Sequence, residues 1–213
     1  MLFKDRVEAG IMLAEALKGH AGYSPMILAI PRGGITVAHE VYKRLGGTLD
    51  IVVPRKISAE QDPELALGAV AEDGSRYLDR NVVSMLGASE EYIERKAAEQ
   101  MAEISRRMKK YREGLGPRVI KGRYVIVVDD GIATGYTAMA ALKFVRKQSP
   151  KRLVLAVPVA PAEVLEALRK EADEVVCLYS PEVFFAIGSF YQDFDQVQDG
   201  EVIRILKEDN NVV

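Results

Sequence analysis

Short apolar runs that stop at turn residues and alternate with helical stretches limit most strongly what this chain can fold into. Met26–Ile30 ends at Pro31-Arg32-Gly33-Gly34, and Leu49–Val53 ends at Pro54-Arg55-Lys56. Tyr124–Val128, Leu153–Val157 and Glu174–Leu178 repeat the form. Between these runs lie segments of helical spacing: Ile35 to about Leu45, Tyr136–Lys147 and Ala162–Lys170. Buried runs joined by helices predict an α/β fold, a mostly parallel central sheet flanked by helices. With 213 residues, 48% hydrophobic and 28% charged, the chain can bury one such core and carry an appendage.

Three segments stand outside the alternation. Phe3, Val7, Ile11, Ala14 and Leu17 form a helical stripe closed by Gly19. Residues 55–76 form a long excursion: Ile57–Pro63 is polar and aperiodic, Leu65–Ala71 reads as a strand, and Glu72-Asp73-Gly74-Ser75 as a turn. Such an excursion between core elements suggests a functional lid or hairpin. A long helix is expected over about 89–115, with Ile93, Ala97, Met101, Ile104, Met108, Tyr111 and Leu115 on one face. Ser89 can cap it, Glu90 and Glu91 suit its positive end, and the basic run Arg106–Arg112 suits its negative end. We divide the chain into a core over 1–178 and a C-terminal appendage of the same domain over 179–213, aromatic at first and helical near Glu201–Lys207.

Composition narrows the function classes. The net charge of −2 gives no electrostatic case for nucleic acid or for an anionic membrane. The single cysteine, Cys177, excludes a disulfide framework and a cysteine-based metal site, and it reads as a small hydrophobe in a buried strand. No apolar run has the length of a membrane span, and Met1–Asp5 leads straight into a helix rather than a signal peptide. The expectation is a cytoplasmic protein with small-molecule substrates. His20 and His39 lie in or beside helices without a paired ligand and read as structural.

The chemistry concentrates in Val125–Thr137, VIVVDDGIATGYT. Asp129 and Asp130 stand at the carboxyl end of a strand, where open α/β sheets bind ligands. Adjacent acids repel unless they face a cation or the hydroxyls of a sugar. Ala133-Thr134-Gly135-Tyr136-Thr137 then opens a helix: Gly135 allows close backbone approach, free amides at the helix start suit an anion, and the threonines add hydroxyl donors. No Gly-Lys-Ser/Thr is present in the loop, so it is not a Walker loop, and the glycine spacing does not fit a dinucleotide fingerprint. Acids for sugar hydroxyls followed by amides for a phosphate describe a ribose 5-phosphate.

This run resembles the motif by which type I phosphoribosyltransferases bind 5-phosphoribosyl 1-pyrophosphate (PRPP). It departs at Gly131, where the family usually has an aliphatic residue. Ile30-Pro31-Arg32-Gly33-Gly34 resembles the family's pyrophosphate loop, and residues 55–76 fall where the family carries a flexible loop. The resemblance implies the type I phosphoribosyltransferase fold, with 179–213 as the hood, and transfer of the 5-phosphoribosyl group from PRPP to a nitrogenous base or similar acceptor. It implies catalytic roles for Asp129, Asp130 and Arg32, and a cradle at 133–137 for the 5-phosphate. Pyrophosphate contacts fall to Arg32, Gly33, Gly34, Arg55 and Lys56. Mg2+ is implied as cofactor, carried through PRPP and nearest to Asp129 and Asp130, with no metal ligand firmly assigned. Family habit implies a homodimer.

The acceptor stays open. Ser180–Gly188 resembles the 6-oxopurine enzymes, with Phe185 at the position of the ring that stacks on the base; separately, Asp193 and Asp195, flanking Phe194, could accept from a base amine, though acids so placed more often sit in solvent. Ala133 stands where those enzymes carry an acid, and the Ala-Thr-Gly form is closer to adenine and uracil enzymes. Phe184, Phe185, Phe190, Tyr191 and Phe194 otherwise read as core. The alternatives are a regulator of the same fold that binds PRPP without transfer, and hydrolysis or phosphorolysis of the same ribose phosphate.

Overall fold

The computed structural model describes residues 1–63 and 65–210; residue 64, within the 55–76 excursion, and residues 211–213, at the end of the appendage, lie outside the described residues. In chain order the elements are α1 (Arg6–Ala16), β1 (Met26–Ala29), α2 (Gly34–Leu45), β2 (Thr48–Ile51), β3 (Arg55–Ser58), β4 (Ala66–Val70), β5 (Arg76–Leu78), α3 (Arg80–Leu86), α4 (Glu90–Tyr111), β6 (Tyr124–Val128), α5 (Tyr136–Lys147), β7 (Arg152–Val159), α6 (Ala162–Leu168), β8 (Glu174–Tyr179) and α7 (Asp199–Asp209).

The five apolar runs form one parallel sheet in the order β2-β1-β6-β7-β8, as the alternation predicts. Its strands are apolar on both faces because both faces are covered. Ile27, Ala29, Ile126, Val128, Val154 and Ala156 pack with residues of α1, α2, α4 and α7. Their neighbours Leu28, Val125, Val127, Leu153, Leu155 and Val157 pack with α5 and α6. The strand at one edge, β8, is only half-buried, so Cys177 is half-buried too rather than sealed in the core. Its Sγ donates to the Tyr179 carbonyl at 3.2 Å, and burial pushes the thiol up.

The 55–76 excursion is a small antiparallel sheet, β3-β4-β5, standing beside the main one. Gly68 makes the strand crossing possible, since a Cβ there would lie 2.0 Å from the Tyr77 carbonyl oxygen. The sheet packs against α4, where the Tyr92 hydroxyl donates to the Ser58 carbonyl at 2.8 Å. Ser89 caps α4 by accepting from the Tyr92 amide at 3.2 Å. The helix's basic end is engaged within the molecule: Arg106 and Arg107 pair with Glu103, Lys110 with Asp199, and Arg112 grips the buried Asp50 with two nitrogens at 2.8 and 2.9 Å.

The inward face of α1 differs from the predicted stripe. Ala9, Gly10, Leu13, Ala14 and Leu17 are buried, whereas Val7 is exposed. The cause is close contact with α2: a Cβ at Gly10 would lie 2.8 Å from Glu40 Cβ and 2.9 Å from the Val37 carbonyl oxygen. The glycine lets the helices approach along a face of small residues, which turns Val7 outward. His20 and His39 have partners, Tyr124 at 2.7 Å and Asp209 at 2.7 Å. Among the described residues, no helix is long and apolar enough to cross a membrane.

Candidate active site

From β1 the chain crosses to β2 on one side, and from β6 it crosses to β7 on the other. The loops leaving β1 and β6 therefore diverge, and a crevice opens between them at the carboxyl ends of the strands. The Ile30 amide donates to the Val128 carbonyl at 2.8 Å, which holds the two strand ends side by side. Pro31–Arg32, a cis peptide, leads into Gly33 and Gly34 on one wall; Asp129 and Asp130 form the other. The walls touch. A Cβ at Gly33 would lie 1.8 Å from Asp130 Oδ2, and one at Gly34 would lie 3.0 Å from Asp129 Oδ1. At Gly33 a carboxylate oxygen occupies the space a side chain would need, and at Gly34 the Val128 carbonyl oxygen and Asp129 do.

The two acids have different surroundings. Asp129 is half-buried, and its Oδ1 accepts from the Asp130 amide at 2.9 Å. Burial foremost, and then the charge of Asp130, raise its carboxyl well above the usual carboxylate range. Asp130 is buried and accepts from Arg6 Nε at 2.7 Å, while the Tyr191 hydroxyl donates to the Asp130 carbonyl oxygen at 2.6 Å. Arg6 belongs to the site although nothing in the sequence marks it; 124 positions separate it from Asp130.

The crevice is a cleft of about 540 Å³. It brings together Arg32, Gly33, Arg55, Lys56, Asp129, Asp130 and Thr137 from the predicted set. Helix α4 adds a wall that sequence reasoning missed: Tyr92, Lys96, Gln100 and Arg107. Spaced by four and then seven residues, they share one helical face. Lys96 and Arg107 are backed by Glu99 and Glu103. Arg55 instead donates from Nε to the neutral Oε1 of Gln100 at 2.9 Å, so it is oriented without losing its charge. Burial, followed by the charge of Arg107, lowers its pKa, and the charge of Glu103 only partly offsets this. Arg32 lies 3.5 Å from Asp199, whose carboxyl is held at about 2 by Lys110 and by the Tyr111 hydroxyl.

The rest of the predicted cradle faces elsewhere. Ala133, Thr134, Gly135 and Tyr136 open onto a separate hollow of about 360 Å³ with Tyr77, Asp79 and Glu163. Gly135 takes φ +79°, and no side chain caps α5 behind it. The Tyr136 hydroxyl donates to Asp79 at 2.8 Å, and burial pushes its phenol up. Gly34 is buried behind Asp129 and lines neither space.

Phe185 and Asp193 also line neither space. Phe185 is 88% exposed, which corrects its assignment to the core. The segment turns its other rings inward instead: Phe184, Phe190, Tyr191 and Phe194 cluster with Phe3. Ile187 seats over Gly131, where a Cβ would lie 2.5 Å from its Cγ2. Among the described residues, no group of three or more acids, histidines or cysteines could hold a metal ion.

The geometry has counterparts in known proteins. The family model described as "Phosphoribosyl transferase domain" matches residues 5–195. The protein named "Putative phosphoribosyl transferase Rv0571c" and its counterpart MT0597 from a second strain, both of Mycobacterium tuberculosis, are each 43% identical over 208 residues. These matches take in 96% of this chain and 46% of each relative, so the chain spans about half the length of the curated relatives it matches. Among solved structures, TT1426 from Thermus thermophilus is similar with a TM-score of 0.82 and 45% identity, over 98% of this chain and 99% of that one.

Proposed function

The chain belongs to the phosphoribosyl transferase domain family, and from that premise we propose that it moves the 5-phosphoribosyl group of PRPP onto a nitrogenous base or similar acceptor, releasing pyrophosphate. The observation that carries this reading is the cleft at the strand crossover, which sets a carboxylate pair beside Arg55 and Lys56, cations with no ion pair among the described residues.

In this reading Arg32, Arg55 and Lys56 receive the pyrophosphate, with the fork of Arg55 aimed by Gln100. Gly33 and Gly34 give the chain a close approach to it. The uncapped start of α5, with Thr137, which lines the cleft, receives the 5-phosphate. Asp129 accepts from a ribose hydroxyl. Holding both ends of the substrate fixes the anomeric carbon between them, so binding energy at the phosphates serves the reacting centre. The 55–76 excursion serves as the lid, and the segment after residue 178, with the start of the chain, as the hood.

The donor set fits Mg2+ only as a guest of the substrate. Asp129 offers one hard oxygen, while Asp130 is engaged by Arg6. An ion held by one or two carboxylates and the substrate's phosphates matches the habit of Mg2+, and it would draw charge onto the leaving pyrophosphate.

One observation favours the second reading, a PRPP-binding regulator without transfer. Among the described residues the only aromatic ring lining the cleft is Tyr92 of α4, and Phe185 does not line it. Pyrophosphate release from PRPP with Mg2+, screened against purines, pyrimidines, orotate and nicotinate and repeated with chelator, separates the readings. Release that requires one acceptor and stops with chelator supports the transferase. Tight PRPP binding with no release under any acceptor supports the regulator.

A further inference from the structure

Asp130 does not stand free to meet a sugar. Its Oδ2 is bonded to Arg6 at 2.7 Å, and each of the two side chains is only 11% exposed. Arg6 is itself held at two further points. Its Nη1 donates to the Asp195 carbonyl at 2.8 Å, and its guanidinium lies 3.8 Å over the ring of Phe194. Phe194 stacks on Tyr191 at 4.9 Å, and the Tyr191 hydroxyl returns to the Asp130 carbonyl. The result is a closed ring of contacts from the Asp130 carboxylate through Arg6, Phe194 and Tyr191 back to the Asp130 backbone. Asp130 and Gly33 are the points at which that ring meets the cleft. Asp129 differs: no arginine or lysine is bonded to it among the described residues, one of its oxygens accepts from the Asp130 amide, and its carboxyl also meets the Asp130 side chain.

We propose that Arg6 is a positioning residue of this site: it pins Asp130 against the pyrophosphate loop and leaves Asp129 as the carboxylate that grips the ribose. Arg6 also supplies the positive charge that lets two neighbouring carboxylates sit together. Phe194 and Asp195 fix its fork, so the C-terminal segment controls the ribose end of the cleft without touching the substrate. A charge-assisted bond between two nearly buried groups is strong enough to hold this arrangement. The inference rests on the reading of the cleft as a PRPP site.

The test uses two ligands that report on the two ends of the cleft, ribose 5-phosphate and inorganic pyrophosphate, with affinities measured by calorimetry. Arg6→Gln should weaken ribose 5-phosphate at least about tenfold while pyrophosphate changes less than about threefold. Arg6→Lys, which keeps the charge but loses the fork, should fall between Arg6→Gln and wild type. If Arg6→Gln does not fold, Phe194→Leu loosens the arginine with its charge in place, and the same selective loss is expected in smaller measure. Equal weakening of both ligands, as general loosening would produce, overturns the proposal, and so does unchanged binding of both. A wild-type protein that binds neither ligand overturns the transferase reading along with it. Selective wild-type binding with an indifferent Arg6→Gln overturns this assignment alone.

Discussion

Gly131→Ala is the sharpest test of how the C-terminal segment is seated. Gly131 does not use the left-handed region, so alanine fits its backbone and only the added methyl is at issue. That methyl would lie 2.5 Å from Ile187 Cγ2, 3.2 Å from Ile187 Cγ1 and 3.1 Å from Val159 Cγ1. Both neighbours are β-branched and have few rotamers to retreat into. Overpacking of this kind costs about 1–3 kcal/mol, and alanine returns about 0.4–1 kcal/mol by restricting the unfolded chain relative to glycine. The net destabilisation centres on about 1.3 kcal/mol, or a fall in Tm of roughly 3–5 °C for a domain of this size. Circular dichroism melts and urea midpoints measure it. The control is Ile187→Ala, which removes two of the three close atoms. In that background Gly131→Ala should cost less than about 0.5 kcal/mol, because the interaction between the two positions has been removed. An unchanged midpoint in the single variant would refute the contact, as would an equal loss in both backgrounds.

Two further outcomes follow from the charges around the cleft. Gln100→Glu would set a carboxylate against Arg55 Nε in place of a neutral oxygen; pyrophosphate affinity should fall about tenfold with the fold intact, and unchanged affinity would show that Arg55 does not meet the ligand. Asp199 is an acid whose folded pKa, about 2, lies below its ordinary 3.8, chiefly through the hydrogen bond from Lys110 and then that from Tyr111. Its contribution to stability is therefore complete above pH 3.8 and is lost as pH falls through about 2. Asp199→Asn should be less stable than wild type near neutrality, with a deficit that shrinks over that acid window. Denaturant midpoints across the pH series measure this, and a deficit independent of pH would overturn it.

The parallel sheet was readable because its strands are covered on both faces, so each appears as an unbroken apolar run. The acid pair and the 133–137 loop were readable because they are contiguous. What escaped notice lacked those properties. Strand β5 has three residues and α3 seven, too short for a period to register. The inward face of α1 follows the contact of Gly10 with α2, which hydrophobicity does not encode. Lys96, Gln100 and Arg107 look like any solvated helix face until β3 is folded against them. Arg6 could not have been found from the sequence, since its role exists only after residues far apart are brought together. The stretch 133–137 was read as one cradle, yet the chain turns within it, so that Thr137 enters the cleft while the four residues before it face the neighbouring hollow.

The contacts that build the cleft join residues far apart in the chain. Arg55 meets Gln100 across 45 positions, Arg6 meets Asp130 across 124, and Arg6 meets the Asp195 carbonyl across 189. Each contact closes a long loop, as the pairing of Met26 in β1 with Val125 in β6, 99 positions apart, does, so the cleft depends on the same kind of long-range closure as the sheet. A ligand that bridges Arg55 and Asp129 would hold those loops shut at once. Bound at a hundred times its Kd, it would add about 2.7 kcal/mol to the stability of the whole domain. Ligand level and the stability of the folded chain would then be coupled through the same few side chains.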